Sequence, residues 1–273
     1  MPVCYRLAEW SLDDWPARVT IVLTNSSVRD HFTAVVRSSF PGLHLNLIRQ
    51  NINLELGMEH EFELWGTVPT RGEIVQFFRS SSQLIAVVDG CDMSFCLDMY
   101  RVPEEREDSP EEWVYTAVGA QVYQAKYRNI EASNAEVCSS LLATIQQHKG
   151  LSSSTAIAAI PPSSDHGSRA DCPTSWVRVL SKALSLPIVG VTRSRSAPSQ
   201  KNFLDREQRR ANQENSMAVS GEVSGQHVLV VDDLYMLGDS VTEISRALRA
   251  AGAAKILSLC AVKTAKGCQG YSF

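Results

Sequence analysis

The hydrophobic pattern is clearest at Val228-Leu-Val-Val231, four apolar residues in a row that read as a strand buried on both faces, as in a parallel sheet. Asp232 and Asp233 follow at its end. A turn carrying Gly238 leads into Val241–Ala251, whose apolar positions recur at helical spacing and which Gly252 closes. Upstream, Val19–Thr24 reads as a strand, and Ser26 or Ser27 as the cap of a helix reaching Phe40. Pro41-Gly42 breaks that helix, and Leu43–Ile48 alternates like a half-buried strand. The stretch up to residue 70 has no clear period. Arg71–Ser80 then places Ile74, Val75, Phe77 and Phe78 on one helical side, and Leu84–Asp89 is a further apolar strand. This strand-helix-strand-helix-strand order predicts parallel crossovers.

From Arg101 to Glu112 the chain is charged, carries two prolines and lacks apolar periodicity, so it reads as a linker. After Trp113-Val-Tyr115 comes a helix from about Ser133 to His148, with Val137, Leu141, Leu142 and Ile145 on one face. Thr155–Ile160 is a strand, Thr174–Leu184 a helix, Pro187–Val191 a strand and Lys255–Val262 the last strand. Thr192–Asn215 is polar and basic, with almost no core-forming residues. The pattern predicts an α/β small domain over 1–103, a linker over 104–112 and an α/β domain with a mostly parallel sheet over 113–273.

Composition adds bounds. A chain of 273 residues, 44% hydrophobic, has room for two cores. A net charge of -4 gives no electrostatic case for nucleic acid as the main partner. No apolar run approaches the roughly 18 residues of a membrane span, and the N-terminus lacks a signal peptide's apolar core. Cys4, Cys91, Cys96, Cys138, Cys172, Cys260 and Cys268 include no Cys-x-x-Cys, so reduced, mostly buried thiols in a cytoplasmic protein are expected rather than a zinc site. In the first half, Asp89-Gly90 with Asp92 reads as a turn after a strand, and His31, His44 and His60 as surface or satisfied histidines.

The acidic strand admits three functional readings and a bland one. It could open a phospho-receiver domain, but only 40 residues follow Asp233. It could be a Walker B strand, but no Gly-x-x-x-x-Gly-Lys-Ser/Thr occurs. It also resembles the phosphoribosyl-diphosphate (PRPP) loop of type I phosphoribosyltransferases. The bland reading is a strand-turn-helix with a solvated acidic pair.

Over residues 113–264 the chain resembles the ComF-type branch of that superfamily in four stretches that keep the family's order. They are Lys126-Tyr127-Arg128; Ile160-Pro-Pro-Ser-Ser164; Arg193 to Gln200 with Leu204 and Arg209-Arg-Ala-Asn212; and Val228 to Ser240. The branch's N-terminal zinc ribbon is absent. The resemblance implies a Rossmann-like phosphoribosyltransferase domain that takes PRPP, or another phosphorylated sugar or nucleotide, with Mg²⁺. Asp232 and Asp233 would hold the ribose hydroxyls and, through the ligand, the metal. Tyr235, Met236, Leu237, Gly238, Asp239 and Ser240 would cradle the 5-phosphate with backbone amides and a helix N-terminus. Pro162, Ser163 and Ser164, with Arg193, Arg195 and Lys201, would receive pyrophosphate. Asp232, Asp233, Arg193 and Arg195 would form the catalytic set. Dimers are common in the superfamily, so a homodimer is among the expected assemblies.

The chain departs from the family where threonines are usual, at Met236 and Leu237, and Asp239 adds a negative charge beside the phosphate place. Losing two hydrogen bonds to a charged group weakens binding by roughly 10²–10⁴-fold. Two classes of function therefore stand: a phosphoribosyl-transferring enzyme, which the acidic pair and basic segment favour, and a nucleotide or PRPP sensor, which the departures favour. A ComF-like accessory role in DNA uptake or processing is a third. The acceptor is not readable. Its hood could be the first domain, the Tyr123–Arg128 segment or the tail after Lys263.

Overall fold

The computed structural model describes residues 3–53, 55–103, 113–162, 170–194 and 215–265, with Ser26 and Asn53 described in their backbone only. In chain order the strands of the first half are β1 (Val3–Tyr5), β2 (Leu7–Ser11), β3 (Arg18–Leu23), β4 (Leu43–Asn53), β5 (Gly57–Gly66), β6 (Ile85–Val88), β7 (Met93–Met99) and β8 (Arg101–Val102). Helices α1 (Arg29–Ser39) and α2 (Arg71–Ser82) lie among them. The second half contributes β9 (Val114–Tyr115), α3 (Ala117–Arg128), α4 (Glu131–Gln147), α5 (Lys149–Ser152), β10 (Ala156–Ala159) and α6 (Cys172–Leu184). It continues with β11 (Gly190–Arg193), β12 (Met217–Ser220), β13 (His227–Tyr235), α7 (Asp239–Ala250) and β14 (Lys255–Lys263).

The main sheet has six strands in the order β1-β6-β7-β14-β13-β10. Strands β7, β14, β13 and β10 run parallel, while β6 is antiparallel to both its neighbours. Alternate residues of β13 and β14 go to opposite faces. Val228, Val230, Ile256 and Cys260 pack with Val241, Ile244 and Leu248 of α7. Leu229, Val231, Leu257 and Leu259 pack with Leu141 and Ile145 of α4 and Trp176 and Leu180 of α6. The expectation that Val228–Val231 is buried on both faces holds, and the class is α/β with a mostly parallel sheet.

The first half departs in part from its expected topology. Strands β2 to β5 form a second sheet in the order β2-β3-β5-β4 with antiparallel neighbours; β3 and β4, joined through α1, run parallel as expected but with β5 between them, and β6 belongs to the main sheet instead. The unread stretch before residue 70 is β5, paired with β4 in an antiparallel hairpin. There Glu59, Glu61 and Glu63 alternate with His60, Phe62 and Leu64, which point inward. Leu23, Leu43, Phe62 and Leu64 pack against Phe32 and Val36 of α1 and Phe77 and Phe78 of α2, in one core continuous with Phe95 and Leu257 of the main sheet. The main sheet also crosses the expected boundary at residue 103, since β1, β6 and β7 precede it and β10, β13 and β14 follow it. The expected linker, 104–112, lies outside the described residues.

Smaller corrections have local causes. Neither Ser26 nor Ser27 caps α1: Asn25 caps the short 3-10 turn Ser26–Val28 that leads into it, its side chain accepting from the Ser27 amide at 3.0 Å, and Val28 at the start of α1 gives no side-chain cap. His60 is fully buried in the small sheet, and neither ring nitrogen has a hydrogen-bond partner there. His31 accepts or donates at 2.9 Å with Tyr5 Oη, and His44 stacks on Trp65. The six described cysteines are buried, while Cys268 lies outside the described residues. No helix among those described is long and apolar enough to cross a membrane.

Candidate functional site

The acidic pair sits where β13 outruns its neighbour. Pairing of β13 with β10 stops at Val231, whereas pairing with β14 continues to Tyr235. Asp232 and Asp233 therefore stand at the carboxyl edge of the parallel sheet, where open α/β folds bind ligands. Asp233 is buried, and its Oδ1 accepts from Lys126 Nζ at 2.7 Å. Asp232 Oδ1 accepts from the Asp233 amide at 2.9 Å. Burial first, and then the Asp233 charge, hold the Asp232 carboxyl well above the usual carboxylate range, with Lys126, the Asp233 amide and Arg193 opposing. Burial works against the Lys126 charge, but Asp233 and then Asp232 outweigh it and leave its pKa raised.

Arg193 ends β11 on the other flank, and its Nε donates to the Pro162 carbonyl at 2.8 Å. Burial draws its pKa down, while the Asp232 and Glu243 carboxylates pull the other way. Pro162 and Arg193 are thus held together. Ser163, Ser164, Arg195 and Lys201, and most of the polar segment, lie outside the described residues.

The loop expected to cradle a phosphate is shorter than the sequence suggests, because Tyr235 belongs to β13. Its side chain is buried, its hydroxyl donates to Asp89 Oδ2 at 2.9 Å, and its carbonyl accepts from the Thr264 amide. Tyr235 is therefore a support under the loop and not one of its amide donors. Met236, Leu237 and Gly238 make the turn, and α7 begins at Asp239, with Ser240 in its first turn. Gly238 has φ +83°, and a Cβ there would lie 2.3 Å from Tyr235 Oη, so both conformation and space demand glycine. Lys263, fully buried at the end of β14, donates to the Met236 carbonyl at 2.9 Å and so ties down the turn. The first-turn amides of α7 remain an anion-attracting end.

Sequence reasoning missed four supports: Lys126, quoted only as part of a motif, and Asp89, Lys263 and Cys172. Asp89 accepts from the Cys91 amide and Ser94 Oγ as well as Tyr235. An acid closing an apolar strand, Leu84–Asp89, was its available signal. Cys172 opens α6 beside the acidic pair, and burial followed by the Asp233 charge pushes its thiol up to about 12, so it is not a thiolate nucleophile. Beside Lys126, a row of tyrosines borders the same edge. Tyr100 meets Tyr115 at 5.1 Å, Tyr115 meets Tyr123 at 5.1 Å, and Tyr123 stacks on Tyr127 at 5.4 Å. Arg101 lies 4.1 Å over Tyr115, and Tyr127 is exposed.

The Mg²⁺ implied by the resemblance finds no direct fit. No group of three or more His, Cys, Asp or Glu side chains converges on a metal position among the described residues. Hard divalent cations want several free oxygens, and here an ammonium holds Asp233 Oδ1 and an amide holds Asp232 Oδ1.

An α/β protein with a buried acidic pair and a helix N-terminus at its sheet's carboxyl edge is the class that fold and site define. No protein-family model matches the chain. Over 74 residues, 27% of this chain, it is 35% identical to the DNA utilization protein YhgH of Escherichia coli O157:H7 and to the same-named protein of Shigella flexneri. The match covers 32% of those proteins, so the chain spans about a third of the length of the curated relatives it matches. Among solved structures it is similar to the phosphoribosylpyrophosphate synthetase of Mycobacterium smegmatis, at 15% identity and TM-score 0.33, covering 47% of this chain and 33% of that one. It is also similar to the purine phosphoribosyltransferase of Pyrococcus horikoshii Ot3, at 11% identity and TM-score 0.33, covering 51% of this chain and 88% of that one.

Proposed function

We propose that the cleft at the carboxyl ends of β10, β13 and β14 binds PRPP or a related sugar phosphate and transfers a phosphoribosyl group to or from an acceptor. The observation that carries this reading is the juxtaposition of Asp232-Asp233 with the Gly238 turn and the N-terminus of α7. Two carboxylates can accept from a ribose diol, and they favour positive charge at the anomeric carbon as a leaving group departs. The amides of α7 suit the 5-phosphate. Arg193, beside Pro162, suits a pyrophosphate. A magnesium ion would enter on the ligand's own diphosphate oxygens, since the described residues build no direct site for it. The exposed face of Tyr127 offers a planar acceptor a stacking surface within the Tyr123–Arg128 segment.

The second reading is a sugar-phosphate or nucleotide sensor that retains the cleft without the chemistry. Met236 and Leu237 favour it, because neither side chain can hydrogen-bond a phosphate. A DNA-related accessory role takes its support from the partial likeness to the DNA utilization protein YhgH.

Titration calorimetry of PRPP with Mg²⁺, on wild type and on Asp232→Asn/Asp233→Asn, tests the site. Micromolar binding that vanishes in the double variant supports it, and product formation with candidate acceptors then separates enzyme from sensor. A folded wild type that does not bind sinks both sugar-phosphate readings.

A further inference from the structure

Lys126 and Asp233 stand 107 residues apart in sequence, yet their charged atoms lie 2.7 Å apart with side-chain exposures of only 15% and 7%. A buried ion pair is a poor stability device, because desolvating two charges offsets most of their attraction. Its location is more informative than its energy. The ammonium occupies one oxygen of Asp233 at the carboxyl edge of the parallel sheet, and that oxygen is the kind a divalent cation would use to neutralise the pair. Arg193, whose Nε donates to the Pro162 carbonyl, brings a further protein cation to this end of the sheet. The acidic pair thus has one protein cation bonded to it directly. Two structural devices hold Lys126 in place. Thr116 caps α3 and donates to the Met99 carbonyl at 2.6 Å, fixing the helix to the end of β7. At the other end of α3, the Lys126 carbonyl accepts from the Ala170 amide at 3.2 Å.

We propose that Lys126 replaces a divalent cation at the acidic pair, so that the site binds a phosphorylated ribose without metal. This rests on the sugar-phosphate reading above and narrows it to a ligand whose hydroxyls and phosphate, not a chelated metal, make the contacts. It also gives Lys126 a positioning role: its ammonium holds the Asp233 carboxylate oriented to accept from a sugar hydroxyl.

The test is calorimetry with ribose 5-phosphate, which lacks the metal-chelating diphosphate, in EDTA and then in excess MgCl₂. Wild type should bind in EDTA with an affinity within about threefold of that in Mg²⁺. Lys126→Met should bind about tenfold or more weakly in EDTA, with part of the loss restored by Mg²⁺. Lys126→Arg should stay within a few-fold of wild type. Rescue by Mg²⁺ is a readout that a merely structural lysine would not give. Wild-type binding that requires Mg²⁺ overturns the inference and leaves the sugar-phosphate reading standing. A folded Lys126→Met that binds like wild type in EDTA also overturns it. If ribose 5-phosphate and PRPP both fail to bind in either condition, the broader reading falls and the inference with it. Should Lys126→Met not fold, the wild-type comparison of EDTA with Mg²⁺ still decides.

Discussion

A single buried hydroxyl supports the loop on which the site depends. Tyr235 Oη reaches Asp89, whose carboxyl burial raises while the Cys91 amide and the Ser94 and Tyr235 hydroxyls oppose that rise. The same oxygen lies 2.3 Å from the place a Cβ on Gly238 would take. Gly238→Ala should therefore cost about 1–3 kcal/mol, from a disfavoured φ and from displacing the tyrosine. Tyr235→Phe should cost about 1–2 kcal/mol, because it leaves Asp89 one donor short. The two effects should not add, since the residues touch and removing Oη removes the tightest clash. Urea unfolding of both single variants and the double would measure this, and simple additivity would show that the hydroxyl does not set the loop. None of this coupling was readable in the sequence. Tyr235 follows the acidic pair at loop spacing, and only the longer pairing with β14 reveals it as strand.

Among the elements, α3 carries the site's lysine, and one glycine sets how close the helix can come. A Cβ on Gly119 would lie 2.0 Å from the backbone carbonyl oxygen of Tyr100, which cannot swing away as a flexible side chain can. Gly119→Ala should push α3 off the end of β7, costing about 1–3 kcal/mol by overpacking, and should draw Lys126 away from Asp233. Sugar-phosphate affinity should then fall with Lys126 still present, a loss that calorimetry on the folded variant would detect. Unchanged affinity would mean that α3 tolerates the shift. Elements with a strong apolar pattern were legible: β13 and β14 follow from apolar runs, and α4, α6 and α7 from an apolar face at helical spacing. Pairing was not. The period of 2 in β5 sits among three glutamates, so it carries little apolar signal, and no local pattern states that β4 turns back on it. The Lys126–Asp233 contact was beyond reach for the same reason, since sequence periodicity fixes which face a residue takes and not which distant residue meets it.

The whole molecule is tied across its midpoint by the main sheet and by one histidine. Because β7 pairs with β14 from Met93 to Met99, removing residues 1–103 would strip β14 of a neighbour and expose apolar residues of the shared core. The fragment 113–273 should accordingly lack a cooperative melt, whereas the full chain should unfold in one calorimetric transition. Two separated transitions would instead restore the expectation of two independent domains. His148 makes the second tie. It is fully buried between Phe77 of α2 and Phe95 of β7, its Nε2 lies 3.2 Å from Ser81 Oγ, and its Nδ1 accepts from the Leu151 amide. Burial, aided by the Lys255 charge and opposed by a local backbone bond, lowers its pKa to about 4. A histidine whose folded pKa is depressed stays neutral in the native state while the unfolded chain takes up protons near pH 6.5. Its contribution is therefore complete above that pH and is lost as pH falls toward about 4. The loss should approach about 3 kcal/mol for a shift of this size. Burial also lowers His31 and His60, so acid sensitivity alone would not identify the residue. Comparison with His148→Gln isolates it. The variant should start less stable at pH 7.5, yet lose less on going to pH 4.5, and parallel stability-versus-pH curves for the two proteins would show that His148 is not the group that titrates.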